Sequence, residues 1–227
     1  YEGTHMQGVE PGSVRYLRVL EATEKIAWTL NGWQGQGFMG PAMAWHDFYS
    51  KKILGTASVE EDGSAYFEVP AETPVYFQLL DEQGMMIQSM RSLTYVQPGE
   101  MVGCTGCHES RTQAFPVAAN NSYLPMATLR EPEPMNGWNG QIKNYNYLED
   151  VQPVFTDRCV SCHGFDTPGG PKAGLLLEPD KTVYFNTSYN ELWRKGYTGV
   201  VGAGFAPIQQ AYSWGSHASP LVAALDD

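Results

Sequence analysis

Ile53-Leu-Gly-Thr-Ala-Ser-Val-Glu-Glu-Asp-Gly-Ser-Ala-Tyr-Phe-Glu-Val69 reads as two short apolar stretches on either side of an Asp62-Gly63 turn. β-Branched and aromatic side chains favour extended backbone, and glycine accepts the positive φ that a tight hairpin demands. The stretch predicts strands over residues 53–59 and 65–69. Working outward, residues 14–20, 75–80 and 85–90 have the same character, and Asp81-Glu-Gln-Gly84 supplies another turn. Short strands punctuated in this way predict a small antiparallel β-sandwich. Residues 31–41 are glycine-rich and lack periodicity, which makes them a long loop leading to His46.

Pro98-Gly99 ends the strand region, and a different kind of signal follows within a few residues. The pattern Cys-x-x-Cys-His occurs as Cys104-Thr-Gly-Cys107-His108 and again as Cys159-Val-Ser-Cys162-His163, and the two copies use all four cysteines. This spacing points to two covalently attached c-type haems. In each, two thiols form thioethers to the porphyrin edge and the adjacent histidine, His108 or His163, ligates iron. Paired zinc knuckles are the alternative, but they usually stand ~15–20 residues apart and need no histidine directly after each pair. A dithiol redox motif accounts for one copy and leaves the second copy and both histidines unexplained.

The 227 residues, 42% of them hydrophobic, suffice for a real core in one or two domains. A formal charge of -11 argues against nucleic acid or an anionic membrane as partner, and a basic redox partner protein suits it better. No apolar run approaches the ~20 residues that span a bilayer, so no transmembrane segment is expected. Haem is attached to such motifs outside the cytoplasm. The expectation is therefore a periplasmic or extracellular protein whose signal peptide is absent from this chain, which starts at Tyr1.

The predicted fold class is mixed α+β: a small antiparallel β-sandwich domain followed by a mostly helical or loop c-type cytochrome domain. Residues 1–115 form the first and end in the first haem motif. Residues 116–146, rich in proline, asparagine and glycine, form a wrapping linker, and residues 147–227 form the cytochrome domain. Leu148, Val151, Val154 and Phe155 recur at helical spacing before the second motif, with Pro153 limiting the helix to one or two turns. Ser188-Tyr-Asn-Glu191 fits a capping box, and Ser219-Pro220 opens a last helix.

Several longer stretches carry a family resemblance. Ile53-Leu-Gly-Thr, Glu61-Asp-Gly-Ser-Ala-Tyr-Phe-Glu-Val-Pro70, Pro74-Val-Tyr-Phe-Gln78, Gln88-Ser-Met-Arg-Ser92, Gln97-Pro-Gly-Glu100 and Gly106-Cys-His-Glu109 resemble the middle domain of hydrazine synthase alpha-subunit-related proteins. Val151-Gln-Pro-Val154, the second motif and Gly215-Ser-His-Ala-Ser219 resemble their C-terminal cytochrome domain. The resemblance implies a di-haem architecture without the propeller domain that precedes the haem domains in that family. It does not by itself imply hydrazine synthesis.

His5, His46 and His217 remain as candidates for the sixth iron ligand. His217 matches the family's distal position and is assigned to the second haem. In hydrazine synthase a tyrosine four residues after the first motif histidine ligates that haem, and the corresponding residue here is Thr112, so that ligand does not carry over. His46 is then the candidate for the first haem. His5 is the other, from an N-terminal arm that could ligate the haem of a neighbouring subunit and build a homo-oligomer or filament. Met39, Met43, Met126 and Met135 are loop methionines that stay open as ligands, and Trp193, Tyr197, Phe205, Tyr212 and Trp214 are candidate haem walls. Two functions follow: electron transfer through two closed haems, or a haem enzyme acting on a small nitrogen or oxygen species at an open first haem. The sequence contains no free cysteine outside the motifs, no paired-carboxylate signature and no serine elbow, which favours transfer over catalysis.

Overall fold

In the computed structural model of the protein the described residues are 6, 8–23, 51–90, 92–104, 124–171, 174–183, 185–199 and 209–226. The expected loop at 31–41 and His5, His46, Cys107, His108 and Thr112 lie outside them. The chain divides into two compact units. The first takes in Tyr1–Thr23, Lys51–Lys143 and Ala206–Ala218, and the second Glu24–Ser50, Asn144–Phe205 and Ser219–Asp227. The stretch around His217 belongs to the first of these units.

The sheet is built on β1 (Tyr16–Ala22), β2 (Lys51–Ser58), β3 (Val75–Leu80), β4 (Met86–Ser89) and the short β5 (Lys143–Asn144), in the order β4-β3-β1-β2-β5. The β1/β2, β1/β3 and β3/β4 pairs are antiparallel. Val19 pairs with Gly55 and Leu20 with Ile53, so Leu54 is an extra residue that bulges β2. On one face Val19, Leu54 and Val75 form a core against Leu17, Phe67, Phe77 and Met135. Alternation sends Leu20 and Tyr76 to the other face, and they are buried as well, so both sides of the sheet are covered. Burial drives the Tyr76 phenol far above its ordinary range.

Two expectations change. The described strands make one sheet where the sequence suggested a sandwich of two, and residues 65–69 form no strand. The reason lies in the wrapping segment, which takes up their backbone groups: Glu68 N–H donates to the Glu133 carbonyl at 3.0 Å, and Glu133 N–H donates to that of Tyr66 at 3.0 Å. The Asp62-Gly63 turn itself is present, with Gly63 at φ 80° and Glu60 N–H donating to the Ser64 carbonyl at 2.8 Å. Arg130 fastens the same segment through Glu60 (2.9 Å) and Glu133 (2.7 Å). Gly55 permits the closest approach, since a Cβ there would lie 2.9 Å from Met135 Sδ. Met135 is thereby committed to the sheet core.

Asp81 shapes the β3–β4 turn as the sequence indicated. Its Oδ1 accepts from the backbone of Gln83 (3.0 Å) and Met85 (2.8 Å), while Gly84 takes φ 76°. The segment 209–218 runs along β4. Tyr212 N–H donates to the Ile87 carbonyl at 2.8 Å, and Gln88 Nε2 to that of Gln209 at 2.6 Å. This satisfies backbone groups that an edge strand would otherwise present to solvent.

In the second unit a π-helical turn (Tyr147–Val151) leads into α1 (Gln152–Arg158) and α2 (Val160–His163), followed by α3 (Thr187–Arg194) and α4 (Pro220–Asp226). Pro153 sits in the first turn of α1, where its missing N–H costs nothing. Phe155, Leu175, Leu177 and Leu192 form the core, with Tyr147, Val151, Cys159, Val160, Tyr197 and Leu221 packed around it. α3 is capped by Asn186, whose side chain accepts from Tyr189 N–H at 3.1 Å, and not by the expected Ser188, which is fully buried and bonded elsewhere. Pro220 opens α4 as expected. The Ser219 hydroxyl, however, donates to the Tyr197 carbonyl instead of capping.

Candidate functional site

The second Cys-x-x-Cys-His motif is the part of the expected chemistry that the described residues contain whole. Cys159 ends α1, where its N–H reaches the Phe155 carbonyl at 2.9 Å, and it precedes the single turn of α2. The Cys162 and His163 N–H groups both donate to the Cys159 carbonyl, at 3.0 and 2.8 Å. The motif is therefore one tight turn at the end of a helix. Thr167 closes it from the other side: its hydroxyl donates to the Cys162 carbonyl and accepts from Gly164 N–H at 2.9 Å. Gly170 makes this return possible, because a Cβ there would stand 1.8 Å from the Gly164 carbonyl oxygen.

Within that turn His163 is oriented by a specific bond. Its Nδ1 lies 3.2 Å from the Leu175 carbonyl oxygen, which can only accept, so Nδ1 carries the proton and Nε2 keeps its lone pair. Histidines that bind metal are commonly fixed this way, by a backbone carbonyl on the nitrogen that does not ligate. Leu177 N–H donates back to the His163 carbonyl at 2.9 Å, so residues 175–177 hold both the ring and the backbone of His163.

Cys159 and Cys162 are not joined in a disulfide. Cys159 is half-buried against the helical core, and burial, with a smaller contribution from Cys162, raises its thiol above the ordinary range. A raised thiol is the opposite of what a dithiol redox motif needs. Among the described residues no three His, Cys, Asp or Glu side chains converge as a metal chelate. A c-type haem requires no such convergence, because its thiols bond to the vinyl-derived carbons at the porphyrin edge and, of the motif's three side chains, only the histidine meets the metal. The donor set of Cys159, Cys162 and His163 fits that group.

His217 lies in the sheet unit, within the turn of Ser216–Ala218. Its Nε2 donates to Asp81 Oδ2 at 2.7 Å, and its ring meets that of Tyr212 edge-on at 4.9 Å between centroids. Gly215, at φ 77°, brings the turn against Met86, which a Cβ would meet at 2.3 Å. His163 belongs to the second unit, so the two histidines assigned to one iron are held in different units. Ligation through His217 Nε2 requires the bond to Asp81 to open. Of the expected haem walls, Tyr197 packs in the helical core, Tyr212 in the sheet unit, and Trp214 Nε1 donates to Gln209 Oε1 at 2.8 Å. Phe205 lies outside the described residues, and Cys104, the first cysteine of the other motif, is exposed.

The sequence did not identify the Leu175 carbonyl or Asp81 as partners of His163 and His217. A backbone acceptor leaves no mark in a sequence. Asp81 was legible only as a turn residue.

Comparison with known proteins bears on the sheet unit most directly. Hydrazine synthase subunit alpha of Kuenenia stuttgartiensis is 24% identical over 234 residues, an alignment covering 82% of this chain and 28% of that protein. A solved structure of Kuenenia stuttgartiensis hydrazine synthase aligns with a TM-score of 0.57 at 18% identity, covering 82% of this chain and 30% of that one. The chain thus spans less than a third of the length of these relatives. Among the described residues no helix is long and apolar enough to cross a membrane. Residues 12–109 match the family described as hydrazine synthase alpha subunit middle domain, and it is this domain that the chain resembles.

Proposed function

We propose that the protein is an exported di-haem c-type cytochrome that transfers electrons. The observation that carries the reading is the orientation of His163, whose Nδ1 is committed to the Leu175 carbonyl while Nε2 remains a lone-pair donor beside two unpaired thiols. Cys159 and Cys162 would hold the ring edge of one haem and His163 the iron. Cys104, Cys107 and His108 would do the same for the other. A haem bound in this way supplies a one-electron ferric–ferrous couple. The chain contributes by fixing the axial imidazole, making it more basic through the Leu175 carbonyl, and excluding water from the core beside Cys159. The net charge of -11 suits a redox partner with a basic surface. The relative is named as a subunit of a larger enzyme, which supports partner chains for this protein too.

That name also favours a second reading, in which the first haem keeps an open coordination position and acts on a small nitrogen species. Optical and electron paramagnetic resonance spectra of the ferric protein, followed by carbon monoxide after reduction, separate the two. Two low-spin signals without a carbon monoxide shift are expected for electron transfer. A high-spin centre that binds carbon monoxide would move the assignment to a haem enzyme, and a protein without haem absorption would overturn both.

His217 is proposed as the distal ligand of the second haem. His217→Ala should then turn that haem high-spin and raise its potential, whereas Asp81→Asn, which removes the competing carboxylate, should keep it low-spin. A His217→Ala protein with unchanged spectra and a lowered melting temperature would restrict His217 to pinning its turn onto the β3–β4 hairpin.

A further inference from the structure

Behind the His163 motif lies a buried polar cluster that the haem reading does not use. Gln152, the first residue of α1, is 4% exposed, and all the hydrogen-bonding capacity of its amide is taken up. Nε2 donates to the Leu177 carbonyl at 3.0 Å and to Thr156 Oγ1 at 3.2 Å. Oε1 accepts from Asn186 Nδ2 at 2.7 Å and from the Ser188 hydroxyl. The Ser188 and Tyr147 hydroxyls share a hydrogen bond of 2.8 Å. Burial pushes the Tyr147 phenol up to about 12, the Ser188 bond offsetting part of the rise, so it remains a donor at neutral pH.

The orientations of both amides in this cluster are determined. Asn186 Oδ1 accepts from Tyr189 N–H at the start of α3, which turns Nδ2 toward Gln152. Gln152 must then present oxygen to Asn186 and nitrogen to the Leu177 carbonyl, which can only accept. A glutamine in an apolar core is costly unless all its partners are present, and here they are.

Leu177 joins this cluster to the axial histidine. Its carbonyl receives the Gln152 amide, its N–H donates to the His163 carbonyl at 2.9 Å, and two residues earlier the Leu175 carbonyl receives His163 Nδ1 at 3.2 Å. The segment 175–177 is therefore held from one side by Gln152 and from the other by His163. We propose that Gln152 is a positioning residue for the second haem, holding this segment in register so that the Leu175 carbonyl stays on His163 Nδ1. The proposal rests on the haem reading of the Cys159–His163 motif.

A firm bond from Nδ1 to a carbonyl makes an imidazole a more basic ligand and stabilises the ferric state. Releasing the segment should weaken that bond and raise the potential of one haem only. The test is an optical redox titration of the haem-loaded protein as wild type, Gln152→Leu and Gln152→Met. Gln152→Met keeps the length of the side chain and removes the donor to Leu177 without adding a charge, so it serves where the leucine variant fails to fold. An upward shift of the second haem's potential in the Gln152 variants, with the first haem as internal reference, is the expected result. Unchanged potentials in a folded Gln152 variant that still carries both haems would overturn the positioning role. A wild-type peptide containing Cys159 and Cys162 with no haem mass would overturn the haem reading, and the proposal with it, by a separate measurement.

Discussion

Replacing Cys159 and Cys162 together by serine is expected to remove one covalent haem and leave the rest of the protein folded. Serine is close to cysteine in shape but forms no thioether. Cys162 is exposed and Cys159 only half-buried, so the packing loss is small. Haem absorbance per protein chain should fall to about half, with the remaining haem at the first motif. His163 would stay tied to Leu175, but that contact alone cannot retain a haem through denaturation. The measurement is haem staining on a denaturing gel together with the mass of the intact chain. Two covalent haems on the double variant would disprove attachment at this motif, and loss of zinc in place of haem would restore the knuckle reading.

The largest effect on stability is expected at Phe155. It is 6% exposed, touches Leu175, Leu177 and Leu192, and its ring centroid lies 6.4 Å from that of Tyr147. Truncating a buried phenylalanine to alanine typically costs about 3–5 kcal/mol, the lost transfer energy plus the cavity left behind. Set against a total stability of about 5–15 kcal/mol for a domain, this is a large share. Among the described residues the cores of the sheet are formed by other side chains. Urea unfolding of Phe155→Ala should therefore lower the midpoint for the helical unit and leave that of the sheet in place. A change below about 1 kcal/mol would mean that the core around Phe155 collapses to fill the space.

The legible parts of the fold were those decided by local chemistry. Residues 75–80 form a strand as their apolar run indicated, Asp81 and Gly84 make the turn, and Pro153 and Pro220 stand in the first turns of their helices. Residues 65–69 look just as strand-like, yet their backbone partners come from Glu133, far along the chain, and no local pattern announces that. Ser188 was the cap read from the sequence, but its hydroxyl is drawn into the Gln152 cluster and Asn186 caps the N-terminus of α3. At the candidate site, spacing alone put forward Cys159, Cys162 and His163, and what the structure adds is the bond from His163 Nδ1 to the Leu175 carbonyl. The environment of His217 was not legible, because its partner Asp81 is 136 positions away.

The segment 209–218 along β4 has a bearing on how the protein is made. The sheet unit begins near the N-terminus, is interrupted by the helical unit, and receives its last piece only after the second motif and α3 have been synthesised. Neither unit corresponds to a continuous stretch of chain, so a cut at the linker would release a sheet lacking its edge cover. Contacts of such long sequence separation form late and slowly. During synthesis the second Cys-x-x-Cys-His motif therefore emerges before residues 209–218 are available to cover β4, and until then that strand edge stands open.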